Sequence, residues 1–315
     1  MQNQTTVNEF ILIIFLYPRH LECLIALGFL ASYLLILSGN IMIIAIILLP
    51  HHLHSPMHFF LWNLSCLEIL ITSSVLPKVI ASFLTGDRSI SYVACITQCF
   101  FYFLLGCSEF VLLAVMSYDR YVAICNPLRC SMVMNAQLCF QLVVGSWATG
   151  FLATIIPTIL VITLPFCNAN QIDQLFCDGL ALVKLSCVDM SFVELLSFMT
   201  SSAILLGSLI LTVVSYTYIV ATIFKITSHS GRNKAFSTCS SHFIIITVGY
   251  SSCIFMYVQP SGSDISVNKL VALLNTVVTP LMSPFIFSMR NQQMKDSLRA
   301  ALKRSMNFSR KHINF

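Results

Sequence analysis

Residues Leu24–Leu49 read LIALGFLASYLLILSGNIMIIAIILL, an apolar run without a single charged side chain. A helix of roughly 18 or more such residues is long enough to cross the hydrocarbon layer of a membrane. In lipid, only helices and closed barrels satisfy their own backbone hydrogen bonds, and this run is too long for a barrel strand. The stretch therefore predicts a membrane-spanning helix.

Apolar blocks of the same kind recur along the 315-residue chain, which is 57% hydrophobic and only 9% charged. A soluble domain usually carries about a quarter charged residues, so this chain could not cover a folded surface with polar groups. No linker or internal repeat separates the blocks, and residues 1–315 are predicted to form one all-α membrane domain with a seven-transmembrane helix bundle. The spans are expected near residues 24–49, 57–84, 92–118, 138–162, 192–224, 237–258 and 269–289.

Basic residues are distributed unevenly between the two ends of these spans. Twelve Lys and Arg residues, from Arg120 to Lys311, lie on the side of the C-terminal tail, whereas five lie on the opposite side. Because Lys and Arg concentrate in short cytoplasmic loops, residues 1–23 are predicted to be extracellular and residues 290–315 cytoplasmic. The net charge of +5 is therefore interpreted as a topology signal and not as nucleic-acid binding.

The N-terminal segment carries two further signals. Asn3-Gln4-Thr5 is a glycosylation acceptor on the predicted outer side. The apolar stretch Phe10–Tyr17 is short and has no basic residues before it, so a cleaved signal peptide is not expected.

Cys23 lies at the outer end of the first span and has no evident partner; apart from it, four of the 13 cysteines lie on the predicted outer side, where disulfides form. Cys95 begins the third span, and Cys167, Cys177 and Cys187 lie in the long outer loop. An even number of such cysteines suggests two bridges, with three alternative pairings between which the spacing does not decide.

The inner end of the third span carries the motif MSYDRYVAIC, from Met116 to Cys125, followed by Asn126-Pro127-Leu128. Asp-Arg-Tyr at this place is similar to rhodopsin-like class A G-protein-coupled receptors, and the longer string resembles the olfactory (odorant) receptor family. Matching motifs cover essentially the whole chain. They are Gly39-Asn40, PMHFFL at Pro56–Leu61, Leu64-Ser65, Ser215-Tyr216, KAFSTCSSH at Lys234–His242, and the stretch from Thr279-Pro280 to Arg290-Asn291.

This resemblance implies a receptor of the plasma membrane, in the cilia of olfactory sensory neurons, that binds a small-molecule odorant. It implies activation of a heterotrimeric G protein of the stimulatory, olfactory type, and a rise in cAMP. It also implies the disulfides Cys95–Cys177 and Cys167–Cys187.

Other classes of protein find less support. A light receptor would need a lysine within the seventh span, whereas Lys269 lies only at its outer edge. No repeated halves indicate a transporter, and no nucleophile–base pair or metal-ligand spacing indicates an enzyme. The remaining alternative is a chemoreceptor of the same fold that senses a metabolite outside the nose.

Arg120 lies about 37 Å along the third helix from Cys95, at roughly 1.5 Å per residue, and therefore at the inner mouth of the bundle. The resemblance implies a G-protein switch in which Asp119 holds this arginine at rest and releases it toward Tyr216. Tyr121 completes the switch motif. Two departures from the family pattern, Ser283 in place of Asn and Phe287 in place of Tyr, are expected to weaken coupling.

Glu68 and Glu109 are carboxylates within predicted spans, where such groups are costly and usually face the bundle interior. Related receptors hold a sodium ion in this region, so we interpret the pair as a site for Na⁺ or for a shared proton. No other cofactor is expected.

The ligand site is expected in the outer half of the bundle, on faces selected by helical spacing. The third span has no Asp in its outer half, so a protonated amine would lack a counter-ion there. Small hydroxyls and thiols among aromatic rings favour a small, neutral, mostly apolar ligand. The expected lining residues are Cys99, Tyr102, Phe103, Gly106, Cys107 and Phe110 on the third span, Thr200, Ser201 and Ile204 on the fifth, Tyr250, Cys253, Ile254 and Tyr257 on the sixth, and Leu273 and Thr276 on the seventh.

Overall fold

A computed structural model describes residues 8–14, 18–48, 55–166, 170–188, 191–258 and 265–290. Asn3, Cys167 and the C-terminal tail lie outside this part of the chain, as do the side chains of Tyr257 and Phe287. The predicted all-α membrane architecture is confirmed, because long apolar helices make up most of the described residues. The helices are α1 (Arg19–Leu48), α2 (Pro56–Thr85), α3 (Tyr92–Cys125), α4 (Cys130–Val133), α5 (Ala136–Ile162), α6 (Gly179–Val183), α7 (Ser191–Lys225), α8 (His229–Val258), α9 (Ile265–Leu273) and α10 (Thr279–Arg290).

Six long helical segments among the described residues are apolar enough to cross a membrane: α1, α2, α3, α5, α7 and the run Val267–Ile286. The sixth predicted span lies in α8, where His242–Phe255 is an apolar helical segment of the described residues.

The boundaries of the helices follow from local chemistry. Ser91 caps α3 by accepting a hydrogen bond from the backbone N–H of Ala94 at 3.3 Å. Asn135 caps α5 in the same way, through the N–H of Leu138 at 2.8 Å. Gly86 ends α2 with a φ of 77°, a left-handed conformation that glycine adopts without strain.

The seventh span is not one regular helix. A π-helical turn, Leu274–Val278, connects α9 to α10. Such turns are rare and often occur at functional sites. The backbone N–H of Thr279 bonds to the carbonyl oxygen of Leu274, five residues earlier, so the turn is wider than an α-helical turn. The side chains that follow it are therefore rotated relative to a regular α-helix.

Helix α3 is central, because it packs against α2, α5 and α7. Gly150 allows the closest approach: a Cβ added there would overlap Ser108 Oγ and the carbonyl oxygen of Leu104 on α3. Gly39 likewise allows α1 and α10 to pack closely, since a Cβ added at Gly39 would lie 2.9 Å from Pro284 Cβ.

A small sheet covers the end of the bundle at which α3 begins, which is the predicted outer end and is called the outer end below. Strand β1 (Glu9–Leu12) pairs antiparallel with β2 (Ser89–Ser91) and parallel with β3 (Gln171–Ile172). Phe10 and Leu12 are fully buried in the apolar cluster under this sheet. The sequence analysis assigned no structure to this apolar stretch, because its partners are distant in sequence.

Candidate ligand-binding and signalling sites

Tyr102 lies where three elements of the outer half meet. Its hydroxyl is 3.5 Å from Thr276 Oγ1, on the π-helical turn. Its ring centroid is 4.1 Å from that of Phe176, in the long outer loop. Thr276 is fully buried and Tyr102 partly buried, so the contact lies inside the bundle. The predicted lining residues Tyr102 and Thr276 are therefore brought together.

Helix α8 contacts the same π-helical turn at Asn275, which belongs to the turn. The Ser252 hydroxyl lies 2.6 Å from Asn275 Oδ1, and Asn275 Nδ2 lies 3.8 Å from Cys253 Sγ. Asn275 thus links Cys253 to the residue next to Thr276. Asn275 was missed in the sequence analysis because a regular helical repeat does not anticipate the π-helical turn.

The other predicted residues of α3 have different surroundings. A Cβ added at Gly179, in α6, would lie 3.6 Å from Cys99 Sγ and 4.0 Å from Phe103 Cε2, so both side chains face the outer loop. Gly106 borders open space, since a Cβ there would meet nothing within 4 Å. Cys107 is partly buried.

The other predicted residues of α7 and α8 are less well connected. Thr200, Ser201 and Ile204 are partly buried, and the described part of the chain shows no hydrogen bond from them to α3 or α8. Ile254 is 37% exposed, whereas Tyr250 is buried with its ring centroid 5.1 Å from that of Phe110.

Phe176 packs on Tyr102 and was missed in the sequence analysis. It directly precedes Cys177, which forms a disulfide with Cys95 at the start of α3, the pairing that the family resemblance implies. The backbone N–H of Cys177 also donates to Gln98 Oε1 at 3.0 Å. These two links hold the loop onto α3, and the neighbouring cysteine was the signal that could have indicated Phe176.

The second pair of outer cysteines is only partly described. Cys187 is disulfide-bonded, and its expected partner, Cys167, lies outside the described residues.

At the inner end of α3, Arg120 forms an ion pair with its neighbour Asp119. Arg120 Nη2 is 2.7 Å and Nε 3.2 Å from Asp119 Oδ2, and the Asp119 side chain is only 2% exposed. The Tyr216 hydroxyl instead lies 3.0 Å from Nδ1 of His242, on α8. Arg120 and Tyr216 are thus held by different partners in this structure.

Neighbouring groups complete this inner face. The Tyr121 ring centroid lies 5.7 Å from that of Tyr218, on α7. Cys130, the first residue of α4, lies near the charged side chains of Asp119 and Arg120. Burial raises the pKa of the Cys130 thiol, with smaller opposing effects from these two residues.

Four buried oxygen atoms form a separate cluster deeper in the bundle. Glu68 is fully buried and faces Asn40 and Ser283, yet no hydrogen bond of ordinary geometry engages its two carboxyl oxygens, Asn40 Oδ1 or Ser283 Oγ. Glu109, on α3, is half-buried and lies near enough to Glu68 for their like charges to repel each other. The described residues contain no group of three or more His, Cys, Asp or Glu side chains suited to a metal.

Long apolar helices packed around α3, with the Asp-Arg-Tyr motif at one end of that helix, are typical of a seven-helix membrane receptor. The sequence profile of the olfactory receptor family matches residues 29–305. Olfactory receptor 6E1 of Mus musculus is 49% identical over 311 residues, which cover 98% of this chain and 99% of the relative. Olfactory receptor 6C76 of Homo sapiens is 46% identical over 313 residues, covering 99% of this chain and all of the relative. The chain belongs to the olfactory receptor family; it is a multi-pass receptor of the plasma membrane and not an enzyme.

Proposed function

We propose that this receptor binds a small, neutral, mostly apolar odorant beside Tyr102, in the outer half of the bundle. The observation that carries the proposal is the meeting of Tyr102, Thr276 and Phe176, because it places one hydroxyl pair among aromatic surfaces. Small-molecule sites in proteins bind mostly through apolar contact and fix the orientation of the ligand with a few polar groups. A ligand of about ten heavy atoms offers limited binding energy, so affinity should be modest.

We further propose that ligand binding releases Arg120 from Asp119 and so activates a stimulatory G protein, which raises cAMP. A ligand drives such a change only by binding the active packing more tightly than the resting packing. The Arg120–Asp119 ion pair and the Tyr216–His242 contact support the proposal, because both would have to rearrange for Arg120 to reach Tyr216. The excess of basic residues on the tail side supports placing this end of the bundle in the cytoplasm.

The oxygen cluster around Glu68 is proposed to bind Na⁺ or to share a proton with Glu109. Carboxylate, amide and hydroxyl oxygens suit a hard cation, and the buried oxygens of Glu68, Asn40 and Ser283 lack hydrogen bonds that would otherwise satisfy them. If Glu68 and Glu109 share a site, both Glu→Gln substitutions together should remove any sodium or pH dependence of signalling. Unchanged sodium and pH dependence in that double variant would contradict this proposal.

The test of the function is a cAMP assay in cells that carry surface-verified receptor and a stimulatory Gα subunit, screened with volatile compounds. We expect neutral volatiles to raise cAMP, and no rise when the stimulatory Gα is absent. A response that persists without that subunit would overturn the coupling, and a set of agonists restricted to charged amines would overturn the ligand class.

A further inference from the structure

Lys269, on α9, is a buried cation that neither the ligand site nor the switch uses. It is only 6% exposed, and its Nζ donates to the carbonyl oxygen of Ile13 at 2.7 Å and forms an ion pair with Asp173. Burying an ammonium group is unfavourable unless charged or hydrogen-bonding partners surround it. The side chain thus joins the seventh span to two segments that are far from it in sequence.

These segments belong to one structure, the outer cap, which we define as residues 9–14, 89–91 and 171–178. Two further backbone hydrogen bonds extend its sheet. The Ile13 N–H donates to the carbonyl oxygen of Ile172 at 2.8 Å, and the Leu12 N–H donates to the carbonyl oxygen of Arg88 at 3.0 Å. Phe10 and Leu12 are fully buried beneath this backbone, in the same apolar cluster as Phe176.

The outer cap rests directly on the proposed ligand site. Asp173, the partner of Lys269, is three residues before Phe176, whose ring packs on Tyr102. The disulfide of Cys177 fixes the far end of this loop segment, whereas Lys269 fixes its near end. Between the two anchors, Phe176 has little freedom to leave Tyr102.

We propose that Lys269 is a positioning residue for the ligand site, holding the outer cap closed so that Phe176 covers Tyr102 and excludes polar solutes from the outer side. The inference rests on the proposed function only for the identity of the site beneath the cap. Closure itself follows from the contacts of Lys269, and it can be measured without an agonist.

The measurement uses the native thiols Cys107 and Cys253 as reporters. Cys107 lies about 7.5 Å further along α3 than Tyr102, at roughly 1.5 Å per residue, and so beneath the cap. Receptor carrying Cys23→Ser, which removes the exposed outer thiol, is treated on intact cells with a membrane-impermeant methanethiosulfonate. The labelled peptides are quantified over time by mass spectrometry.

We expect Lys269→Met to label Cys107 and Cys253 about tenfold faster than the parent receptor. Asp173→Asn should have a smaller effect in the same direction, and Lys269→Arg, which keeps the charge and donors, should restore slow labelling. Lys184→Met removes an exposed lysine of the same loop and should leave the rate unchanged. Equal rates in the parent, Lys269→Met and Asp173→Asn receptors, whether fast or slow, would overturn the proposal.

If Lys269→Met fails to reach the surface, Asp173→Asn tests the same ion pair from its more exposed partner. Failure of the cAMP screen would leave the labelling result standing, because labelling requires no ligand. Conversely, rapid labelling of the parent receptor would overturn cap closure without bearing on G-protein coupling.

Discussion

At the scale of single residues, the inner face depends on one carboxylate. Asp119 is almost fully buried and supplies the ion-pair partner of Arg120 in this structure. Asp119→Asn keeps the shape of the side chain but removes its charge. An ion pair of this kind contributes roughly 1 kcal/mol, which is about a fivefold change in an equilibrium between two states.

We therefore expect Asp119→Asn to raise ligand-independent cAMP by up to about fivefold at equal surface expression. Asp87→Asn, which changes an exposed carboxylate at the end of α2, is the matched control and should not alter basal cAMP. Basal cAMP that is unchanged or lower in Asp119→Asn would argue against a restraining role for this ion pair.

Ser283 is the second residue whose substitution is expected to change signalling. Its hydroxyl is buried beside Glu68 without a hydrogen bond, at a position where the family pattern has Asn. An amide there could bond to Glu68 and connect it to α10 more firmly. We expect Ser283→Asn combined with Phe287→Tyr to increase the maximal cAMP response to an agonist, and no increase would count against weakened coupling in the natural chain.

At the scale of helices and strands, the contact between α3 and α5 depends on the absence of a side chain at Gly150. Because an added methyl group would overlap Ser108 Oγ and the Leu104 carbonyl oxygen, Gly150→Ala should destabilise the bundle by about 1–3 kcal/mol. Gly145→Ala is a control in the same helix, where the added Cβ meets nothing within 4 Å. Thermal unfolding in detergent should separate the two variants, and equal melting temperatures would refute the close packing.

The sequence predicts some of these elements better than others. Long apolar runs predict the helices because each run must satisfy its backbone hydrogen bonds within itself in lipid. The outer sheet depends on pairing Phe10 with Ile90 and Ile11 with Gln171, and no local pattern encodes such distant partners. The π-helical turn likewise has no signal in hydrophobic periodicity, which is why Thr276 was predicted to line the site and Asn275 was not.

At the scale of the whole molecule, the orientation in the membrane is a prediction from charge alone. An epitope tag placed before Met1 should be stained by antibody on intact cells, and a tag after Phe315 only after permeabilisation. Asn3→Gln should abolish any mobility shift produced by removing N-linked glycans. Staining of the C-terminal tag on intact cells would reverse the assigned orientation.

The central claim is that a ligand bound in the outer half acts through Arg120 at the inner end. Its most direct test is the cAMP dose–response to one volatile agonist, measured at matched surface expression for the parent receptor, Thr276→Val and Arg120→Ala. We expect Thr276→Val to raise the half-maximal concentration about fivefold, as the loss of roughly 1 kcal/mol of hydrogen bonding implies, and Arg120→Ala to give no response at any concentration. Parent-like curves for both variants would contradict the ligand site and the switch together.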